Sequence, residues 1–390
     1  MRTFALWLMI PAAACFGGDL DGRWDAAITS RNLRVPFRMD VTESPARVCF
    51  FEDTLPACST SAELKDGTLT AHWDYLSADL ELTLKDGAIT GGWRVRRAQR
   101  ATPIDAKRYQ APPAPAQPPA KISGEWEVHN QSARAGSQLL LRQNGAEIKG
   151  TILRVDGDVG TLVGRMDGTH FVMSHFSGDR AELVEGTLLA DGTIDLTQNG
   201  AKFTAYRPEA ARSRNLLPPD DPAKFSFAKD PEAKFHFSFP DVNGKTVSDD
   251  NFAGKPYIVT VTGSWCPNCR DEAPFLVDLY KTYHSKGLEI VGFCFEYADD
   301  PTYASLKAFM RKYGIDYTMV IPGEPSKLKE AVPQVEHLQN FPTAIYIGKD
   351  GRIKAVHTGF PSVGAGEELD KVKKEVRGIV EGMIAETPEK

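Results

Sequence analysis

The chain has 390 residues, 42% of them hydrophobic and 25% charged, with a formal net charge of −6. At about 100–200 residues per domain, that length predicts two to four domains. The composition excludes a polytopic membrane protein, a collagen-like fibre and a wholly disordered chain, and the acidic balance argues against a general nucleic-acid binder.

Residues 1–15 read as an export signal. Arg2 precedes an apolar run from Phe4 to Ile10, and Ala12-Ala13-Ala14 supply the small residues of a cleavage site. The run is too short to span a bilayer. Cys15 follows at once, which leaves two readings: a bacterial lipoprotein signal with Cys15 lipidated, or a plainly cleaved signal. Both place the mature protein outside the cytoplasm, in the periplasm or cell envelope, where disulfides persist.

Residues 16–109 and 121–210 are each predicted to form a small antiparallel β-domain, a sandwich or partly open barrel. Leu80-Glu81-Leu82-Thr83-Leu84 and Thr193-Ile194-Asp195-Leu196-Thr197 alternate with the period of half-buried strands. Asp66-Gly67, Asp86-Gly87, Asn144-Gly145, Asp167-Gly168 and Asp191-Gly192 are hairpin dipeptides. The two regions share landmarks: Gly22-Arg23-Trp24 and Gly124-Glu125-Trp126 open them, and stretches ending in Arg108 and Arg207 close them. This is a weak repeat of about a hundred residues. Cys49 and Cys58 flank Leu55-Pro56 and are expected to form a structural disulfide; two unpaired thiols are the alternative. Between the regions, residues 110–120 carry five prolines and read as a semi-rigid spacer. A second linker covers 211–233.

From residue 234 to 388 the period changes. Tyr257–Val261 and Leu288–Phe293 are apolar runs of buried-strand type, while Pro274–Tyr283, Tyr303–Tyr313 and Glu367–Ile384 carry helical spacing. Alternating strands and helices predict an α/β domain with a mostly parallel sheet covered on both faces. The fold class is therefore multidomain: two small all-β domains followed by an α/β domain.

Trp265-Cys266-Pro267-Asn268-Cys269 lies where a buried strand gives way to a helix. The two-residue gap puts both sulfurs on one turn, within disulfide reach. The first sulfur sits at the helix N-terminus, where free N–H groups and the helix dipole favour its thiolate. Cys266 is thus expected to be the exposed nucleophile of thiol–disulfide exchange, and Cys269, a turn further in, the resolving thiol. A zinc site needs about four ligands; no second Cys-x-x-Cys exists, and the nearest downstream histidine, His284, falls at the far end of the helix. Neither metal nor cofactor is expected. Cys294, in Phe293-Cys294-Phe295, reads as core, with Glu296 beside it a second candidate acid.

Residues Gly254 to Pro274, with Asp241–Val247 before them and Phe341-Pro342-Thr343 after them, resemble the thioredoxin fold. They are similar to the extracytoplasmic TlpA/ResA-type branch of the wider redoxin group, over about residues 234–386. The resemblance implies a thiol-disulfide oxidoreductase, a cis bond at Pro342, and a client held along the backbone of Phe341, with Trp265, Pro267 and Thr343 around it. It implies an extra helical insert at Asp299–Tyr313. It also implies that Glu272 accepts the Cys269 proton, because the buried aspartate of cytoplasmic thioredoxins is replaced by Thr260. The implied partners are client proteins with thiols or disulfides and a membrane-side redox partner, with a lipid anchor if Cys15 is modified. Two other functions use related sequence patterns. A peroxiredoxin-like peroxidase would carry P-x-x-x-T-x-x-C, but Val259 and Gly263 occupy the Pro and Thr places. A non-catalytic protein binding copper or a partner would use Cys-x-x-x-Cys and a histidine; here the gap is one residue shorter, and His357 is the downstream histidine.

Overall fold

The computed structural model describes residues 20–51, 56–130, 135–178 and 180–387. The export-signal segment with Cys15 lies outside them.

Residues 22–108 form one antiparallel sheet of nine strands that curls without closing, a half-barrel. Its edges are the short strands Ala57–Cys58 and Ser61–Lys65. Along Leu33–Glu43, Val35, Phe37, Met39 and Val41 face inward and alternate with more exposed residues, the two-residue period of a sheet with one buried face. Phe50 stacks on Trp73 at 4.9 Å and meets Trp93 at 5.4 Å in the core. Cys49 and Cys58 stand directly opposite one another on neighbouring strands and are disulfide-bonded.

Residues 124–206 form a closed antiparallel barrel of eight strands. Closure comes from Ser137–Asn144, which pairs with Gly124–His129 on one side and Glu147–Arg154 on the other. Its interior is filled by Trp126, Leu139, Ile148, Met166, Phe171 and Met173 among others, so it is a packed core rather than a channel. A two-residue strand, Gly157–Asp158, folds back on Leu153–Arg154 as a projecting arm. The second sheet is therefore more closed than a sandwich.

The repeat has a structural counterpart. The Trp24 indole donates to the Leu20 carbonyl at 2.9 Å and Trp126 to that of Ile122 at 2.8 Å. The Arg108 guanidinium lies 4.1 Å over Trp24, and that of Arg207 lies 3.8 Å over Trp126. Gly22 and Gly124 both have positive φ, and a Cβ on either would come within 2.9 or 3.0 Å of the arginine that completes its clasp.

The proline-rich stretch lies along the barrel. Gln117 N donates to Asp167 Oδ1 at 2.7 Å, and Ala120 N to the Gly168 carbonyl at 2.7 Å.

The C-terminal sheet has five strands: β1 (Tyr257–Thr262), β2 (Glu289–Phe295), β3 (Thr318–Gly323), β4 (Thr343–Ile347) and β5 (Ile353–Thr358), in the order β3-β2-β1-β4-β5. The expected mostly parallel sheet is corrected to a mixed one. β1, β2 and β3 run parallel, but β4 is antiparallel to both β1 and β5. The short turn between β4 and β5 leaves no room for the crossover helix that a parallel pair requires. One face is covered by α1 (Pro267–Tyr283), α2 (Ala304–Tyr313) and α3 (Glu367–Ala385). The other packs on Phe235, Phe237, Phe252 and Leu328. Helix α1 begins seven residues before the predicted Pro274, because the apolar spacing registers only once the helix turns into the core.

The half-barrel core is completed by residues from the other two parts of the chain, Phe176 and Ala308. Phe176 of the barrel enters the half-barrel core, 4.8 Å from Phe37 and 5.2 Å from Phe50. The α2 region docks on the half-barrel through the Arg97–Asp299 and Arg96–Asp300 ion pairs, at 3.1 and 3.2 Å. No helix among the described residues is long and apolar enough to cross a membrane.

Candidate active site

Strand β1 ends at Thr262, and the chain turns through Gly263-Ser264-Trp265 into α1. Cys266 is the N-cap of α1, and Pro267 takes the first helical position, where its missing N–H costs nothing. The Cys269 N–H donates to Cys266 Sγ at 3.2 Å, so the first sulfur receives a free amide at the positive end of a 17-residue helix. The two cysteines are joined as a disulfide, with Cα atoms 5.3 Å apart.

Trp265 is fixed by its indole N–H, which donates to the Phe295 carbonyl at 2.8 Å, and by edge contact with Phe341 at 5.1 Å. Gly263 lies beneath that indole; a Cβ there would collide with it and approach the Phe295 carbonyl to 3.0 Å. The position that a peroxidatic motif would fill with threonine therefore has no room for one. The Phe341–Pro342 bond is cis, and the Pro342 carbonyl accepts from Gly359 N at 2.7 Å.

Two buried carboxyl groups stand near the pair. Glu272, one turn after Cys269 on α1, is 3% exposed, and burial pushes its pKa up to about 7. Its Oε2 accepts from the Thr260 hydroxyl at 2.8 Å. Thr260 thus holds the Glu272 carboxyl in place. Glu296 accepts from Ser264 N at 2.7 Å, from the Ser264 hydroxyl at 2.9 Å and from the Cys294 thiol at 3.1 Å. Burial raises its pKa too. With three donors on its oxygens, Glu296 ties the turn after β1 to the end of β2. Cys294 is a buried free thiol, held neutral chiefly by that burial.

Two expectations need correction. Cys266 is not exposed: it retains 3% of its accessible surface, and Cys269 1%. Between the two cysteines, Asn268 meets the barrel. The Asn268 side chain donates to the Asp156 carbonyl of the barrel at 2.8 Å and accepts from Arg180 Nη2 at 2.5 Å. The barrel arm lies so close that a Cβ on Gly157 would overlap the Asn268 amide. Thr343 does not face a client either. It is fully buried, and its hydroxyl donates to the Asn340 carbonyl at 2.9 Å, supporting the turn that carries Pro342. Trp265, Pro267 and Phe341 keep partial exposure.

Sequence reasoning did not foresee Asn268, Asp156, Gly157 and Arg180 as neighbours of the pair. No local motif links them; the Asn268–Asp156 bond joins residues 112 apart in the chain. His357 is buried on β5, its Nδ1 3.2 Å from the Gly359 carbonyl. Among the described residues, no group of three or more His, Cys, Asp or Glu is placed to hold a metal ion.

Residues 227–374 match the Redoxin family. The thiol-disulfide oxidoreductase ResA of Bacillus thuringiensis subsp. konkukian (strain 97-27) is 30% identical over 120 residues, which are 30% of this chain and 63% of that protein. ResA of Bacillus subtilis (strain 168) is 27% identical over 124 residues, 32% of this chain and 64% of that protein. The chain thus spans somewhat under two thirds of the length of these two relatives. Among solved structures, a thioredoxin-family thiol:disulfide interchange protein from Chlorobium tepidum TLS is 26% identical, with a TM-score of 0.32, covering 41% of this chain and all of that one. The stretch that carries Cys266 and Cys269 is accordingly a Redoxin region, and there the chain is similar to the ResA-type thiol-disulfide oxidoreductases.

Proposed function

We propose that this protein is an extracytoplasmic thiol-disulfide oxidoreductase that exchanges disulfides with client proteins through Cys266 and Cys269. One observation carries the reading: the Cys266 sulfur caps the N-terminus of α1 and receives the Cys269 amide, with its partner sulfur one turn behind. That environment lowers the thiolate's energy, and the thiolate is the attacking species.

In the reducing direction, the Cys266 thiolate attacks one sulfur of a client disulfide. A Cys266–client disulfide forms, and the other client sulfur leaves as a thiolate that takes up a proton. Cys269, deprotonated by Glu272, then attacks Cys266 Sγ. The Cys266–Cys269 disulfide forms, the second client sulfur departs and is protonated, and two electrons have passed to the client. In the oxidising direction the same steps run backwards. A carboxyl whose pKa lies near 7 suits the proton transfer, because it both accepts and returns a proton near neutral pH. The backbone around Phe341 and Pro342, flanked by Trp265 and Pro267, holds the client segment.

The export reading of residues 1–15, with Cys15 lipidated or the signal simply removed, puts this chemistry in the periplasm or cell envelope, fed by a membrane-side redox partner. The test is disulfide exchange with a protein substrate, paired with capture by a Cys269→Ser variant. Mixed disulfides at Cys266 support the reading; an absence of adducts from reduced Cys269→Ser protein overturns it.

A further inference from the structure

The barrel meets the α/β domain beside the redox pair. Three sets of contacts join the barrel arm at Val155–Thr161 to the α/β domain. Arg180 bridges the two, donating through Nη1 to the Asp158 carbonyl at 2.8 Å and through Nη2 to Asn268 Oδ1 at 2.5 Å. Asp158 is fully buried; its Oδ2 accepts from Ser362 N at 2.9 Å and from the Ser362 hydroxyl at 2.8 Å, while Oδ1 accepts from Gly160 N at 2.9 Å. The arm backbone lies directly on the Gly359–Phe360 segment: a Cβ on Gly157 would come within 2.7 Å of the Phe360 carbonyl, and one on Gly359 within 2.6 Å of Gly157 N. Gly359 is bonded in turn to the Pro342 carbonyl.

We propose that this arm is a displaceable cover, latched by Arg180 to Asn268 and by Asp158 to Ser362, that occupies the client face beside the pair and admits extended protein segments only when it lifts. The proposal rests on the exchange reading and adds the substrate class. The turn of the arm at residues 155–157 already lies against Gly359, whose N–H is bonded to the Pro342 carbonyl, so an unfolded client segment that docks along this backbone competes with it for the same place. A folded protein has no free segment with which to do so. Beside the arm, a cavity of about 370 Å³ reaches Pro267 and Arg270.

The latch is a polar contact between parts of one chain, so its loss shifts an open–closed equilibrium. Removing a charge-assisted hydrogen bond shifts it by about tenfold. Two full-length variants test this without touching the redox pair. Arg180→Gln removes the bridge to Asn268. Gly157→Ala places a methyl carbon against the Asn268 amide, at a backbone φ of +113°. Gly145→Ala is the control: it adds the same methyl at a positive φ on a barrel turn, with nothing within 4 Å.

The first readout is the rate at which iodoacetamide alkylates Cys266 in the reduced protein, followed by mass spectrometry of its peptide. The second is the rate of exchange with an unfolded, disulfide-containing protein. Both rates should rise by about tenfold or more in Arg180→Gln and Gly157→Ala and stay within twofold of wild type in Gly145→Ala. Unchanged rates in both latch variants would overturn the cover, as would an equal rise in Gly145→Ala. Alkylation reads the cover without any exchange reaction. A chain whose Cys266 becomes reactive on unlatching, yet exchanges with no disulfide, would leave the cover standing and remove the oxidoreductase reading.

Discussion

Replacing Glu272 by glutamine keeps the shape of the side chain and removes its charge, and the structure sets the size of the effect. The glutamate's ordinary pKa of 4.5 is raised to about 7 by burial. Below about pH 4.5 the group is protonated in folded and unfolded chains alike and contributes no difference. Between pH 4.5 and 7 the folded chain holds a proton that the unfolded chain releases, so stability falls as pH rises; above pH 7 the full penalty is present. A shift of about 2.5 units corresponds to about 3 kcal/mol. Glutamine carries no such penalty, so the stability of Glu272→Gln relative to wild type should improve by about 2–3 kcal/mol between pH 5 and pH 8. A chain with several packed sheets need not unfold in one step, so the suitable assay is hydrogen exchange of the β1 amides, comparing variant and wild type at each pH. The same variant should slow exchange with client disulfides and lose the part of the pH–rate profile that titrates near 7. A stability difference that stays constant across that range would refute the burial argument, and an unchanged rate profile would remove Glu272 from the proton path.

Cys266→Ser should abolish exchange, whereas Cys269→Ser should retain attack and accumulate mixed disulfides, visible as adducts on a non-reducing gel. Replacing Cys49 and Cys58 together by serine should cost the half-barrel about 2–3 kcal/mol, from the chain entropy of a loop with a sequence separation of 9; exchange of its core-strand amides reads this, and a change under about 1 kcal/mol would contradict it. Gly263→Thr supplies the threonine of a peroxidatic motif but drives a Cβ into the Trp265 indole. It should cost about 1–3 kcal/mol and bring no peroxide consumption; turnover of peroxide by either protein would revive the peroxidase alternative.

What could be read from the sequence was what is local. Cys266-Pro267-Asn268-Cys269 after an apolar strand announces a helix N-terminus, since proline at the first turn and a cap residue before it are near neighbours in the chain. The paired Gly-x-Trp openings and closing arginines were legible for the same reason, although what they build, an arginine over each tryptophan, was not. The direction of β4 was hidden, because the run Ala344-Ile345-Tyr346-Ile347 is equally apolar whichever way it runs. The contact between Asn268 and the barrel was hidden too, since the α/β domain alone gives no sign of Arg180, 88 residues before Asn268. Glu272 was recognisable as a candidate, but its elevated pKa depends on burial that no short window of sequence reveals.

The aromatic plug between the first two sheets bears on how the protein can be dissected. Phe37, Phe50 and Trp93 rest against Phe176, with ring centroids 4.8–5.8 Å away, and Ser174 donates to the Pro36 carbonyl at 2.6 Å. Scission in the proline-rich stretch at 110–120 would therefore not release a tidy fragment. It would strip the open side of the half-barrel and leave an oily concavity seeking any surface to cover it. Expression of that piece alone should give a sticky, self-associating product, and its solubility should return when the barrel is supplied in trans.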